Sequence, residues 1–149
     1  MKSGLKWLAV AAGVVALGGT ALAQADAIKQ RQETMKAIGG AMGGMAKMLK
    51  GEEPYDAAKA KAAVETIAAR AKGFDALFPK GSETGAETAA APKIWADPNG
   101  FKAALAKLEQ TAGAQAATAG KDLDGLKASV GALGGACKGC HDDYRLKKS

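Results

Sequence analysis

The segment Cys137-Lys138-Gly139-Cys140-His141 gathers the thiols and imidazoles of this chain. The sequence has two cysteines and one histidine, and all three stand here. C-x-x-C-H is the spacing that attaches a c-type haem. Each thiol can add to one vinyl group of a porphyrin, giving two thioethers. The imidazole that follows is placed to ligate the iron. Two other chemistries use paired cysteines. A structural zinc site needs four ligands, commonly in two separated pairs, and no second pair exists here. A thioredoxin-like C-x-x-C expects a neighbouring βαβ pattern, and the flanking residues carry no strand signal. Covalent haem c, one per chain, is the expectation.

Both thiols must be held on an inward surface for the porphyrin to be buried. Leu123, Leu126, Val130, Leu133, Cys137, Cys140 and Tyr144 recur at three- and four-residue spacing, the stripe of an amphipathic helix. Asp122 stands before them as an N-cap. The cysteines therefore continue a core stripe. Residues three and four apart share a helix face, so His141 lies on the same side. A porphyrin attached there lies along the interior of whatever this helix packs against.

Three further stripes supply the packing partners. The first runs from about Asp26, a candidate N-cap, to Lys50, with Ile28, Met35, Ile38, Met42, Met45 and Leu49 inward. Gly51 ends it. Position 31 completes that stripe and is an arginine. Arg31 either snorkels from a frayed helix end or reaches a carboxylate such as a haem propionate. The second stripe starts at Pro54 and continues through Ala57, Ala60, Val64, Ile67, Ala71, Phe74 and Phe78, with Pro79 as its stop. A connection from Lys80 to Asp97 follows, pinned by Ile94 and Trp95. Asp97 and Pro98 begin the third helix, with Phe101, Leu105, Leu108, Ala112, Gln115 and Ala119 inward. Gly120 ends it. Four helical stripes and no strand give an all-α fold, an antiparallel up-down-up-down four-helix bundle.

The N-terminus reads as an export signal. Lys2 and Lys6 form a basic region, residues 7–17 are apolar, and Ala21-Leu22-Ala23 is a cleavage site. Residues 1–23 are expected to be removed, with Ala25 as a second possible end, leaving a single haem domain from Gln24 to Ser149. The apolar run is short and rich in Ala and Gly for a membrane span, so no stable insertion is expected after cleavage. Loss of Lys2 and Lys6 lowers the formal charge from +6 to +4. That mild excess suits solubility and acidic partners. No block of like charges points to nucleic acid.

The chain resembles the cytochrome c′ family. The resemblance rests on Lys29-Gln30-Arg31-Gln32 with Met35, on Gly51-Glu52-Glu53-Pro54-Tyr55-Asp56, and on Phe78-Pro79 and Pro92-Lys93-Ile94-Trp95. It continues through Cys137 to Arg145. It implies a periplasmic homodimer joined through the first two helices, with a five-coordinate haem iron that binds NO and CO and takes part in electron transfer with an unidentified redox partner. It makes His141 the axial ligand, Arg145 a proximal-side residue, Met35 a distal-pocket residue and Arg31 a propionate partner. Low-spin relatives of the same bundle are similar and use a methionine at this position as sixth ligand. An electron carrier with Met35 on the iron is thus the alternative. No triad, metal cluster or second histidine supports an enzyme.

The mature chain has many alanines and few large aromatics, so porphyrin burial supplies core that side chains do not. Burying several hundred Å² of it contributes on the order of several kcal/mol. A Cys137→Ala/Cys140→Ala variant is therefore expected to be weakly folded by circular dichroism. A fully helical variant with a cooperative melt would contradict this.

Overall fold

In a computed structural model, the backbone is described for residues 18–147 and the side chains for residues 21–147. Five helices follow one another: α1 (Gly18–Lys50), α2 (Ala57–Ala71), α3 (Lys93–Ala96), α4 (Pro98–Ala119) and α5 (Leu123–Tyr144). The four long ones form the four-helix bundle. α1 packs against α2 and α5, and α4 packs against the same two from the other side. The short α3 sits in the long connection and touches α4 and α5.

Local chemistry explains the boundaries. Asp97 accepts a hydrogen bond from the Gly100 N–H at 3.0 Å and caps α4, with Pro98 in the first turn. Asp122 does the same for α5 through the Gly125 N–H at 2.7 Å. Gly51 ends α1 in the left-handed region at φ 73°, which costs glycine nothing and other residues a clash.

The second stripe departs from expectation at both ends. Asp56, not Pro54, sets its start. The Asp56 carboxylate accepts from the Lys59 N–H at 2.9 Å, and α2 begins at Ala57. α2 also stops at Ala71, well before Pro79. Gly73, at φ 69°, turns the chain into a separate 3₁₀ turn over Phe74–Leu77. Phe74 and Phe78 therefore leave the line of α2 and fold toward α4. Leu123 is the other exception, because it stands on the solvent side of the first turn of α5 and is 46% exposed.

α1 is longer than its stripe. Asp26 lies inside the helix, exposed, and caps nothing. Ala21, Ala23, Ala25 and Ala27 favour helix and carry it through this region. Residues 1–17 of the expected export signal lie outside the described residues. Among those described, no helix is long and apolar enough to cross a membrane.

The core has two parts. The larger joins Ile38, Met45 and Met48 of α1 to Val64, Ile67, Leu108, Leu126 and Leu133. The smaller holds Phe74, Ile94, Phe101, Leu105 and Tyr144 at one end of the bundle. Met35 packs against both.

Candidate haem site

Cys137 and Cys140 are half-buried free thiols on the inward side of α5. Cys137 packs against the larger core cluster and Cys140 against the smaller. Between the two clusters lies a cavity of about 650 Å³. Both thiols, His141, Tyr144 and Arg145 line it from α5 and its end. Ile28, Arg31, Met35 and Met42 line it from α1, and Phe101, Leu105 and Leu108 from α4. Phe74 and Phe78 close it from the 3₁₀ turn and its end, and residues 88–90 from the loop. The lining is mainly apolar. Its size falls within the roughly 300–1,000 Å³ of pockets that take cofactors. All four cofactor-binding candidates besides Met35, namely Cys137, Cys140, Arg31 and Arg145, thus meet Met35 and His141 at one cavity.

Burial shifts the reactive groups. It pushes both thiols above their ordinary range, and Cys140 is raised further by Cys137 and Asp143. Raised thiols stay protonated at neutral pH, which slows disulfide formation, since the thiolate is the attacking form. Burial, and then the Arg145 charge, lower His141, while Asp142 opposes them. Both effects favour the neutral imidazole, whose lone pair can ligate a metal. The Arg145 N–H also donates to the His141 carbonyl at 3.3 Å, closing the last turn of α5.

Arg31 is 4% exposed, so the frayed-end reading of this position does not hold. Its Nε donates to the Leu77 carbonyl at 2.5 Å and its Nη1 to the Ser82 carbonyl at 2.9 Å. Its Nη2 donates to the Ser82 hydroxyl, which in turn donates to the Pro79 carbonyl at 2.6 Å. The guanidinium lies 4.2 Å from the Phe78 ring centre and 5.4 Å from that of Trp95. Every one of these partners is neutral. Among the described residues no carboxylate forms an ion pair with Arg31, and none lines the cavity. Burial lowers its pKa, with only partial compensation from Glu83. A buried cation among neutral acceptors calls for an anion, and two of its five donors remain uncommitted. A group carrying carboxylates, as haem does, fits that demand, and the thiols and imidazole fit its vinyl groups and metal.

Comparison with known proteins gives the family. The model of the cytochrome c′ family matches residues 26–145. The chain belongs to the cytochrome c′ family. Cytochrome c′ of Rhodopseudomonas palustris is 47% identical over 143 residues, covering 95% of this chain and 97% of that protein. Its solved structure has a TM-score of 0.79 at 46% identity, over 83% of this chain and 98% of that one. Cytochrome c-556 of Agrobacterium fabrum is 48% identical over 124 residues, covering 83% of this chain and 84% of that protein. A nitric oxide complex of a point variant of cytochrome c′ from Alcaligenes xylosoxidans has a TM-score of 0.72 at 37% identity, over 83% and 97% of the two chains. As a cytochrome c′, the chain carries covalently bound haem c, and its two cysteines fit the attachment motif.

Two residues of the site, Ser82 behind Arg31 and Phe78 on the cavity wall, lie beyond what sequence periodicity shows. Ser82 lies in a Gly- and Thr-rich connection that carries no periodic signal. Phe78 continues the α2 stripe in sequence, but the turn at left-handed Gly73 carries it to the cavity. The available signal was Arg31 itself, an inward charge that needed partners. Replacing Arg31 with alanine strands two buried acceptors on Ser82 and a half-buried one on Leu77, and is expected to cost about 2–4 kcal/mol in urea unfolding. Arg31→Lys is expected to recover less than half, because an ammonium cannot reproduce the fork. A wild-type midpoint for Arg31→Lys would contradict this.

Proposed function

We propose that residues 24–149 form the mature, periplasmic protein, exported by residues 1–23, and that it binds NO or CO and passes electrons through its haem rather than acting as an enzyme. The observation that carries this reading is the meeting of two free thiols and the chain's one imidazole at a single apolar cavity. When bound, the haem would supply a one-electron couple and a metal that takes a diatomic gas. Cys137 and Cys140 would hold it through thioethers, and the His141 imidazole would ligate its iron. Arg31 offers its two free donors to a propionate. Arg145 sits beside His141 as a cation on the proximal side. The apolar lining keeps water from the distal side.

Met35 decides the kind of haem protein. It is partly buried and packs against both core clusters, which employs its thioether as a packing group. We read it as a distal-pocket residue that leaves the axial position to a gas, and the nitric oxide complex of the Alcaligenes relative supports that reading. The alternative, Met35 as a sixth ligand in an electron carrier, is supported by its place on the cavity wall. The protein pairs with a second copy through α1 and α2, where Gly39, Gly40 and Gly43 are exposed with open space around them.

Electron paramagnetic resonance of the ferric protein at neutral pH tests the axial assignment. A mainly high-spin signal that persists in Met35→Ala is expected. A purely low-spin signal that vanishes in Met35→Ala would establish the alternative.

A further inference from the structure

His141 makes no side-chain hydrogen bond among the described residues. Metal-bound histidines ordinarily have their other ring nitrogen fixed by a carboxylate or carbonyl. Here the ring's direction must come from the helical turn that carries it. That turn ends at Tyr144, three residues on and on the same side of α5.

Tyr144 is held at every part. Its ring, 8% exposed, packs edge-on against Phe101 with centres 5.3 Å apart. Its carbonyl accepts from the Ala91 N–H at 3.0 Å, and the next residue but one, Leu146, donates to the Ala89 carbonyl at 2.8 Å. Its hydroxyl donates to Asp97 Oδ2 at 3.0 Å. The other oxygen of that carboxylate, Oδ1, accepts from the Gly100 N–H and caps α4. One carboxylate therefore joins the start of α4 to the end of α5. The Gly100 N–H, and then the Tyr144 hydroxyl, hold the Asp97 carboxyl below its ordinary range, so it is an ionised acceptor at neutral pH.

Gly100 shows that this contact is built in. It lies in the first turn of α4 without a left-handed backbone. Alanine would favour the helix there. A Cβ at position 100 would overlap both Asp97 Oδ2 and the Tyr144 hydroxyl. The missing side chain is explained by the space those two oxygens need.

We propose that Tyr144, Asp97 and Gly100 form a positioning unit that sets the direction of the His141 imidazole toward the haem iron. The proposal rests on His141 being the axial ligand. None of the three touches the iron; they act through the last turn of α5.

The test compares Tyr144→Phe, Gly100→Ala and the double variant with the wild-type holoprotein. Tyr144→Phe keeps the ring and removes the hydroxyl. Gly100→Ala keeps the hydroxyl and displaces it. Tyr55→Phe is the control, because it loses one bond from the α1–α2 connection to the end of α4, at the Ala119 carbonyl, 3.0 Å, away from the cavity. The readouts are the ferric paramagnetic spectrum, the reduction potential and the thermal midpoint. A pyridine haemochrome assay establishes that haem is attached. Tyr144→Phe and Gly100→Ala should shift spectrum and potential in the same direction, and the double variant should shift no further than the larger single. Gly100→Ala should also melt below wild type despite its better helix former. Tyr55→Phe should lower the midpoint and leave spectrum and potential unchanged. Attached haem with wild-type spectra in either Tyr144→Phe or Gly100→Ala would overturn the positioning unit and leave the haem assignment standing. An equal spectral shift in Tyr55→Phe would overturn it too, as an effect of stability alone. A protein without haem would sink both readings.

Discussion

Protein interiors are packed to crystal-like density, and apolar space that nothing fills costs stability in proportion to its volume. The cavity of about 650 Å³ between the two core clusters is thus the constraint around which the fold is arranged. Its walls come from every long helix but α2, whose role falls to the 3₁₀ turn that follows it. Phe74, Phe101, Leu105 and Leu108 line this space without filling it. A covalently held porphyrin would supply the missing bulk. Attachment through Cys137 and Cys140 would place it where the two clusters meet, so the cofactor would complete the core as well as provide chemistry.

The second constraint is electrostatic. The cavity offers Arg31, Lys36 and Arg145 and no carboxylate. Exposed Lys36 and Arg145 keep their hydration, but Arg31 does not. Its charge is spread over carbonyls, a hydroxyl and two aromatic faces, and these same contacts tie the Leu77–Ser82 segment to α1. One side chain therefore does two jobs. It orders the loop beside Phe78, and on the proposed reading its uncommitted donors would meet a haem propionate. Arg31 is buried among partners that sequence periodicity does not reveal, which is why either a frayed end or a propionate contact was open from the sequence.

The helices, their N-caps at Asp97 and Asp122, and the inward turn of both thiols were legible in the sequence, because each depends on residues within a few positions of one another. The start and end of α2 were not. Pro54 suits a helix's first turn, but the Asp56 carboxylate, which accepts a backbone N–H, set the start two residues further on. The left-handed Gly73 outweighed a stripe that ran on to Phe78. The motif gave the haem chemistry, and resemblance gave Arg145 and Met35 their expected sides. The links from Arg31 to Ser82 and from Tyr144 to Asp97 span 51 and 47 positions, and such contacts leave no periodic trace.

The account stands on haem being joined to both thiols of this one segment. Mass spectrometry of the exported protein under denaturing conditions, followed by peptide mapping, tests that directly. The account predicts an intact mass of the chain from Gln24 plus one haem, which stays with the peptide containing Cys137 and Cys140. A bare polypeptide mass, or haem that is lost on denaturation, would contradict it.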